Sequence, residues 1–391
     1  MKLSILLTCE DYLPIVGGAE ICIANVAHEL RLRGHEVTIF TNTLKTTDDE
    51  SGIVRIPWRF APRTFWKNIS TLHRLICHAD IVHCTYSFRI AALCAVLCKL
   101  ARKPMLLTQQ GKGIVPEVNP RLHHALLVRL CQVVSMRGAT HITVTSDEIF
   151  ELTAAFVPRT KIEIISNGYD AKMFRPDPSL PKPPEIAALP SGMRVLLTVR
   201  RLVPKNGIHI LVQALALVRK AGIDFRYFAI GEGRSRGLIE QLIQEHTLQD
   251  HVTLLGMRDN MTIRPFYQYA DLVIMPSSAE ARSITCIEAM GMEKPIIASQ
   301  VGGLIDLIGR DHRHGQLVDI YHDEACSYDP PDRLSEQQLQ PLANAIIAFL
   351  RDPTSLQAKA QVARRYVEAE CSWEVVVDAY ERVYKRLLSR A

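Results

Sequence analysis

At 391 residues the chain is too long for one ordinary core and predicts two domains of about 190 residues each. Hydrophobic residues at 48% and charged ones at 22% exclude a disordered or fibrous chain. The net charge of +5 is uneven: residues 1–185 hold 22 Lys and Arg against 17 Asp and Glu, and within 55–146 thirteen basic residues accompany only Asp80 and Glu117.

The first predicted element is a strand, Leu3 to Thr8, continuously apolar as buried parallel strands are. The apolar run stops at Glu10-Asp11, too short for a signal peptide or a membrane span, so a cytoplasmic protein is expected. A loop with Gly17-Gly18-Ala19-Glu20 follows, then a helix from Ile21 closing on Gly34, and a second strand, His35 to Asn42. Arg55 to His78 interleaves Trp58, Phe60, Phe65 and Trp66 with Arg59, Arg63 and Lys67 before turning helical. Such a segment either seats a helix among lipid headgroups or is a connection with half its aromatics in the core. The basic face it belongs to is either solvated or meets an acidic partner, and an anionic membrane surface and a phosphorylated acceptor are the partners expected. Single-stranded nucleic acid also suits such a surface, but nothing else in the chain supports it, so no nucleic acid is expected.

Asp80 to Cys84 is a third strand with His83 near its end, and Met105 to Thr108 a fourth that runs into Gln109-Gln110-Gly111-Lys112-Gly113. Ala139 to Ser146 and Lys161 to Ser166 complete a parallel α/β sheet. Residues 177–192, DPSLPKPPEIAALPSG, are dense in proline and read as a hinge. The pattern then starts afresh: strand Met193 to Val199, helix Ile208 to Gly222, strand Phe225 to Ile230 ending in Gly231-Glu232-Gly233, and strand Val252 to Leu255 before Gly256-Met257-Arg258. Arg201 and Lys205 fall in the loop after the first of these, where two fixed positive charges suit a diphosphate. The ten cysteines show no CxxC pair and read as buried small hydrophobes in a reducing compartment.

The chain is organised around Pro276 to Ser299, PSSAEARSITCIEAMGMEKPIIAS. It leaves the apolar run Asp271 to Met275 and enters a helix at Ile287 to Met292; a strand, a small-residue loop and a helix start gather backbone N–H groups around one point that suits an anion. Glu280 in the loop and Glu288 on the helix flank it, and acceptor-only carboxylates beside a phosphate site favour hydroxyls as partners. Phosphate with many hydroxyls describes a sugar nucleotide. After Gln316 to Val318 a helix runs through Leu350, and Ser372-Trp373 to Leu388 is the last.

Pro276-Ser277, the two glutamates, Glu288-Ala289-Met290, Lys294 to Ser299 and Gly302-Gly303 together resemble the E-x7-E region of the retaining glycosyltransferases of family 4. Gly17 to Glu20 resembles that family's GGAE loop, and Asn167-Gly168-Tyr169-Asp170 with Phe174 its turn before the second domain. The resemblance implies an α/β GT-B fold, two Rossmann-like domains with parallel sheets facing a cleft: an acceptor-side domain 1–180, a linker 181–192, a nucleotide-sugar domain 193–371, and a C-terminal helix 372–391 crossing back to the first. It implies transfer of a sugar from a nucleoside diphosphate, UDP or GDP, to a hydroxyl of a glycan or lipid-linked acceptor with retention, without metal or cofactor, as in cell-surface polysaccharide or lipopolysaccharide assembly. Glu280, Arg201 and Lys205 take the catalytic roles; Gly17, Gly18, Glu288, Ile284, Thr285, Gly231 and Met257 the donor contacts; His83 and Gln110 the acceptor contacts.

The chain departs from the family in several places. Ala281 and Ser283 stand where glycines are usual, Arg282 where an aromatic or aliphatic residue is common, and Asn206 in the usual lysine's place, with Lys205 one residue earlier. Gln110 occupies the place of a histidine and cannot accept a proton. A sugar-nucleotide 2-epimerase and a non-catalytic binding module are the alternative readings; a nicotinamide dehydrogenase is weaker, because no G-x-G-x-x-G follows a strand with an acidic residue at the right distance.

Overall fold

The structure, a computed structural model, describes residues 2–14, 17–44, 51–56, 62–86, 88–111, 122–321 and 330–389. It divides into two compact units: unit 1 is residues 1–168 with 373–391, and unit 2 is residues 169–372.

Among the described residues unit 1 carries seven strands, β1 Ser4–Cys9, β2 Glu36–Thr41, β3 Ile53–Arg55, β4 Ile81–Thr85, β5 Met105–Gln109, β6 His141–Val144 and β7 Ile162–Ile164. All pairs are parallel, in the order β3-β2-β1-β4-β5-β6-β7. The sequence order reverses between β1 and β4, the topological switch point of a doubly wound sheet. β4 and β5 are buried at every residue, which is why they read as unbroken apolar runs. β3 goes unnoticed in the sequence because three half-buried edge residues carry no alternation.

The helix Trp373–Leu388 belongs to this unit. It buries Trp373, Val376, Val377, Tyr380, Val383, Tyr384 and Leu387 at helical spacing, and Arg33 pairs with Asp378 while His35 meets Glu381 at 3.1 Å.

Unit 2 repeats the architecture with β8 Val195–Val199, β9 Arg226–Ile230, β10 Val252–Leu254, β11 Leu272–Met275, β12 Ile296–Ser299 and β13 Gln316–Val318, all parallel in the order β10-β9-β8-β11-β12-β13. The helix Ile208–Lys220 is buried from Ile208 through Val218 because the helix Glu336–Arg351 covers its outer side. That second helix opens with a reciprocal cap between Ser335 and Gln338. A further helix, Thr354–Glu370, has no counterpart in the sequence reading; its apolar stripe is thin, with Leu356, Ala360, Ala363 and Val367 buried.

The proline-rich segment is not a hinge. The units part at Gly168/Tyr169 and Ser372/Trp373, and residues 177–192 pack onto unit 2. Ile186 lies in its core, Asp177 pairs with Arg264 at 2.8 Å, and Tyr269 donates to the Leu180 carbonyl at 2.7 Å. Proline density marks a chain that cannot extend a sheet ladder, and here it packs as turns around one short helix, Pro184–Ala187, that opens on a proline.

Candidate active site

In unit 2 the carboxyl ends of the neighbouring strands β8 and β11 bring two loops side by side. Beyond β8 the chain runs through Arg200 and Arg201 into a single 3-10 turn, Pro204–Asn206, and Gly207 turns it into the following helix at φ 69°. A Cβ on Gly207 would stand 1.9 Å from the Pro276 carbonyl oxygen, so glycine both permits the left-handed turn and lets the two loops touch. The Lys205 carbonyl accepts from the Ser278 amide at 2.8 Å, which ties the loops together at backbone level.

Beyond β11 the chain runs through Ser277, Ser278 and Glu280 to Ser283, whose hydroxyl caps the helix Ile284–Gly291 by accepting from the Cys286 amide at 3.2 Å. The amides of Ile284 and Thr285 stand in the first turn, where no intrahelical acceptor exists. From the far side the Gly303 amide donates to the Glu280 carbonyl at 2.9 Å, so the backbone carrying Glu280 is held on both flanks.

The charged partner of Glu280 is Arg200. Its Nη2 donates to Glu280 Oε2 and, at 3.2 Å, to Asn206 Oδ1, while Nη1 donates to Ser283 Oγ at 2.9 Å. Both side chains are nearly out of water, at 10% exposure for Arg200 and 14% for Glu280. Glu280 Oε1 has no partner among the described residues. Glu288 lies inside the helix at 8% exposure, likewise without a hydrogen-bond partner among the described residues, and burial together with the charge of Asp170 raises its carboxyl to about 8. With no protein partner among the described residues, the Glu288 carboxyl is left to hydrogen-bond a ligand's hydroxyls.

Arg201 is exposed beside the pair, and its carbonyl accepts from Asn206 Nδ2 at 2.7 Å. Lys205 is half-buried, and Asn206 is 3% exposed, with its amide spent inside the loop. Gly231, at φ 144°, lets the loop after β9 approach the Arg200 carbonyl, which a Cβ would meet at 2.0 Å. Met257 is exposed at the end of the neighbouring loop. Arg282 turns away from the loop into the core, where it donates to Tyr366 Oη at 2.9 Å.

Gly17, Gly18, His83 and Gln110 lie in unit 1. Gly17 caps the helix Gly18–Leu32 that follows β1. Gln110 follows β5 half-buried, its Oε1 without a partner among the described residues. His83, expected at the acceptor, is instead a core strut: it is 2% exposed, with Nδ1 2.7 Å from Tyr384 Oη and Nε2 2.6 Å from Thr108 Oγ1. Burial lowers its pKa to about 3, so the ring is neutral. Residues 57–61 and 112–121, which hold part of the aromatic and basic segment and the rest of the loop after Gln110, lie outside the described residues.

Arg200 is the residue that sequence reasoning missed. Two adjacent arginines at a strand end offered a choice that only the strand order decides, because β8 and β11 become neighbours through the sheet and not through the sequence.

Two family descriptions match the chain, Glycosyltransferase Family 4 over residues 16–172 and Glycosyl transferases group 1 over residues 182–329. D-inositol 3-phosphate glycosyltransferase of Segniliparus rotundus is 29% identical over 237 residues, 58% of this chain but only 47% of that enzyme, so the match spans about half of its length. Alpha-monoglucosyldiacylglycerol synthase of Acholeplasma laidlawii is 22% identical across 78% of this chain and 82% of its own. Among solved structures, sucrose-phosphate synthase from Thermosynechococcus elongatus superposes with TM-score 0.77 at 23% identity, and Anabaena HepE in complex with UDP-glucose with TM-score 0.76 at 19% identity, each over the whole of both chains. These likenesses give the fold as GT-B.

Proposed function

Because this chain belongs to glycosyltransferase family 4, we propose that it moves a sugar from a nucleoside diphosphate to an acceptor hydroxyl, with retention at the anomeric carbon. The observation that carries the reading is the pair of acids after β11: Glu280 with one carboxylate oxygen held and one open, and Glu288 buried without a partner among the described residues. Glu288 suits the ribose hydroxyls and Glu280 those of the sugar. The leaving diphosphate carries the charge that develops in the reaction; Arg201, Lys205 and the first-turn amides of Ile284 and Thr285 are the groups to stabilise it. This cationic set works without a metal, and activity undiminished by a chelator tests that.

UDP is the first donor to try, since HepE, similar in fold, is seen with UDP-glucose. A lipid-linked or phosphorylated acceptor fits the basic excess of residues 55–146 and the exposed apolar side chains Trp66, Leu100, Leu126 and Leu130 of unit 1. Among the described residues no helix is long and apolar enough to cross a membrane. The experiment is a thermal-shift screen of UDP and GDP sugars, followed by transfer to lipid-linked acceptors in anionic vesicles with the anomeric configuration of the product read by NMR. Failure of every sugar nucleotide to raise the melting temperature defeats the proposal.

A second reading, a sugar-nucleotide binding module without transfer, is favoured by Asn206, whose amide is consumed inside the loop in the place where the family's lysine stands. Binding without turnover across acceptors selects it.

A further inference from the structure

Arg200 draws together three segments that are far apart in sequence: Glu280 in the loop after β11, Ser283 at the cap of the next helix, and Asn206 in the turn after its own strand. A glutamate has several rotatable bonds, and fixing its carboxylate costs entropy that an enzyme must meet either at each binding event or once, in the fold. Here the fold meets it. A planar guanidinium with donors on both terminal nitrogens can hold a carboxylate, a hydroxyl and an amide oxygen in one plane; an ammonium is a point charge and cannot reproduce that fork. At 10% and 14% exposure the pair is screened little by solvent.

We propose that Arg200 is a positioning residue: by holding Glu280 through Oε2 and Ser283 through Oγ, it presents Glu280 Oε1 as a fixed acceptor for a hydroxyl of the transferred sugar. This rests on the reading that the loop after β11 takes the sugar of a nucleoside diphosphate sugar. A group that acts on the sugar through Glu280 leaves the nucleoside diphosphate part of binding alone. A general staple of the two loops would weaken both parts together.

The test uses the full chain as wild type, Arg200→Lys, Glu280→Gln and the double variant. Calorimetry measures affinity for UDP, UDP-glucose, GDP and GDP-mannose, and release of nucleoside diphosphate from the sugar nucleotide to water is followed in parallel. Lysine keeps a charge beside Glu280, so the variant is expected to fold, which its melting curve checks. Arg200→Lys is expected to keep affinity for the bare diphosphate within about twofold while lowering kcat about ten- to a hundredfold, the worth of a charge-assisted hydrogen bond. In the Glu280→Gln background it should add nothing further to the preference for sugar nucleotide over diphosphate. Wild-type kcat in Arg200→Lys, an equal loss for bare diphosphate, or full additivity in the double variant overturns the proposal. If wild type binds none of the four ligands, the donor-site reading itself falls.

Discussion

Glu288 sits in folded protein with its carboxyl raised to about 8 from an ordinary 4.5, so the folded chain binds a proton over that interval which the unfolded chain has released. Its contribution to stability is therefore complete below about pH 4.5 and is lost as the pH rises through about 8. Melting temperatures of the empty protein should decline between about pH 5 and 8 more steeply for wild type than for Glu288→Gln. A ligand held by the ionised form reverses the trend: affinity for its sugar nucleotide should grow as the pH rises toward 8 in wild type and stay flat in the variant. Arg201→Ala and Lys205→Ala should each lower turnover by about tenfold or more with the fold intact, measured as kcat/KM for the donor. At this scale the acids were legible and their environment was not. Glu280 and Glu288 announce themselves by spacing and by the frame around them, whereas Arg200 and Arg201 look alike until neighbouring strands decide which of them faces the acid. His83 was misread for the same reason: a strand-end histidine has no visible partner when that partner, Tyr384, lies 301 residues away.

Among the elements, the loop after β8 owes its shape to Gly207. Alanine there must adopt φ 69° with its Cβ 1.9 Å from the Pro276 carbonyl, so Gly207→Ala should destabilise unit 2 by more than about 2 kcal/mol in urea unfolding, and donor binding should fall with it as the loops separate. Ser283→Ala removes the cap of the helix Ile284–Gly291 and one partner of Arg200; a loss of about 1 kcal/mol is expected from the cap. Strands buried on both faces, such as β8 and β11, were readable from their apolar runs. The helix Thr354–Glu370 was not, since half of its buried stripe is alanine and its surface is charged.

For the molecule as a whole, two α/β units were legible from length and from the restart of the pattern at Met193, but the boundary between them was not. Prolines at 177–192 drew attention to a segment that is packed, while the division falls at Gly168 and Ser372, next to residues with nothing linker-like about them. Gly168 is there because a Cβ would collide with the Trp373 ring at 2.2 Å. The completeness of unit 1 also depends on the last helix. Tyr384→Phe leaves one ring nitrogen of His83 unpaired in the core and should cost about 1–3 kcal/mol in urea unfolding of unit 1.

Unit 2 is thus spliced into the middle of unit 1, entering at Tyr169 and leaving at Ser372, and those two residues are bridged as neighbours, with the Tyr169 amide 2.9 Å from the Cys371 carbonyl. For a chain emerging from the ribosome this inverts the usual schedule, in which the amino-terminal part finishes first. The stretch made first must wait, its sheet still lacking Trp373–Leu388, until the interior segment has been synthesised and closed its own ends together. A released fragment ending at Ser372 should therefore resist protease across 169–372 while 1–168 is still cut.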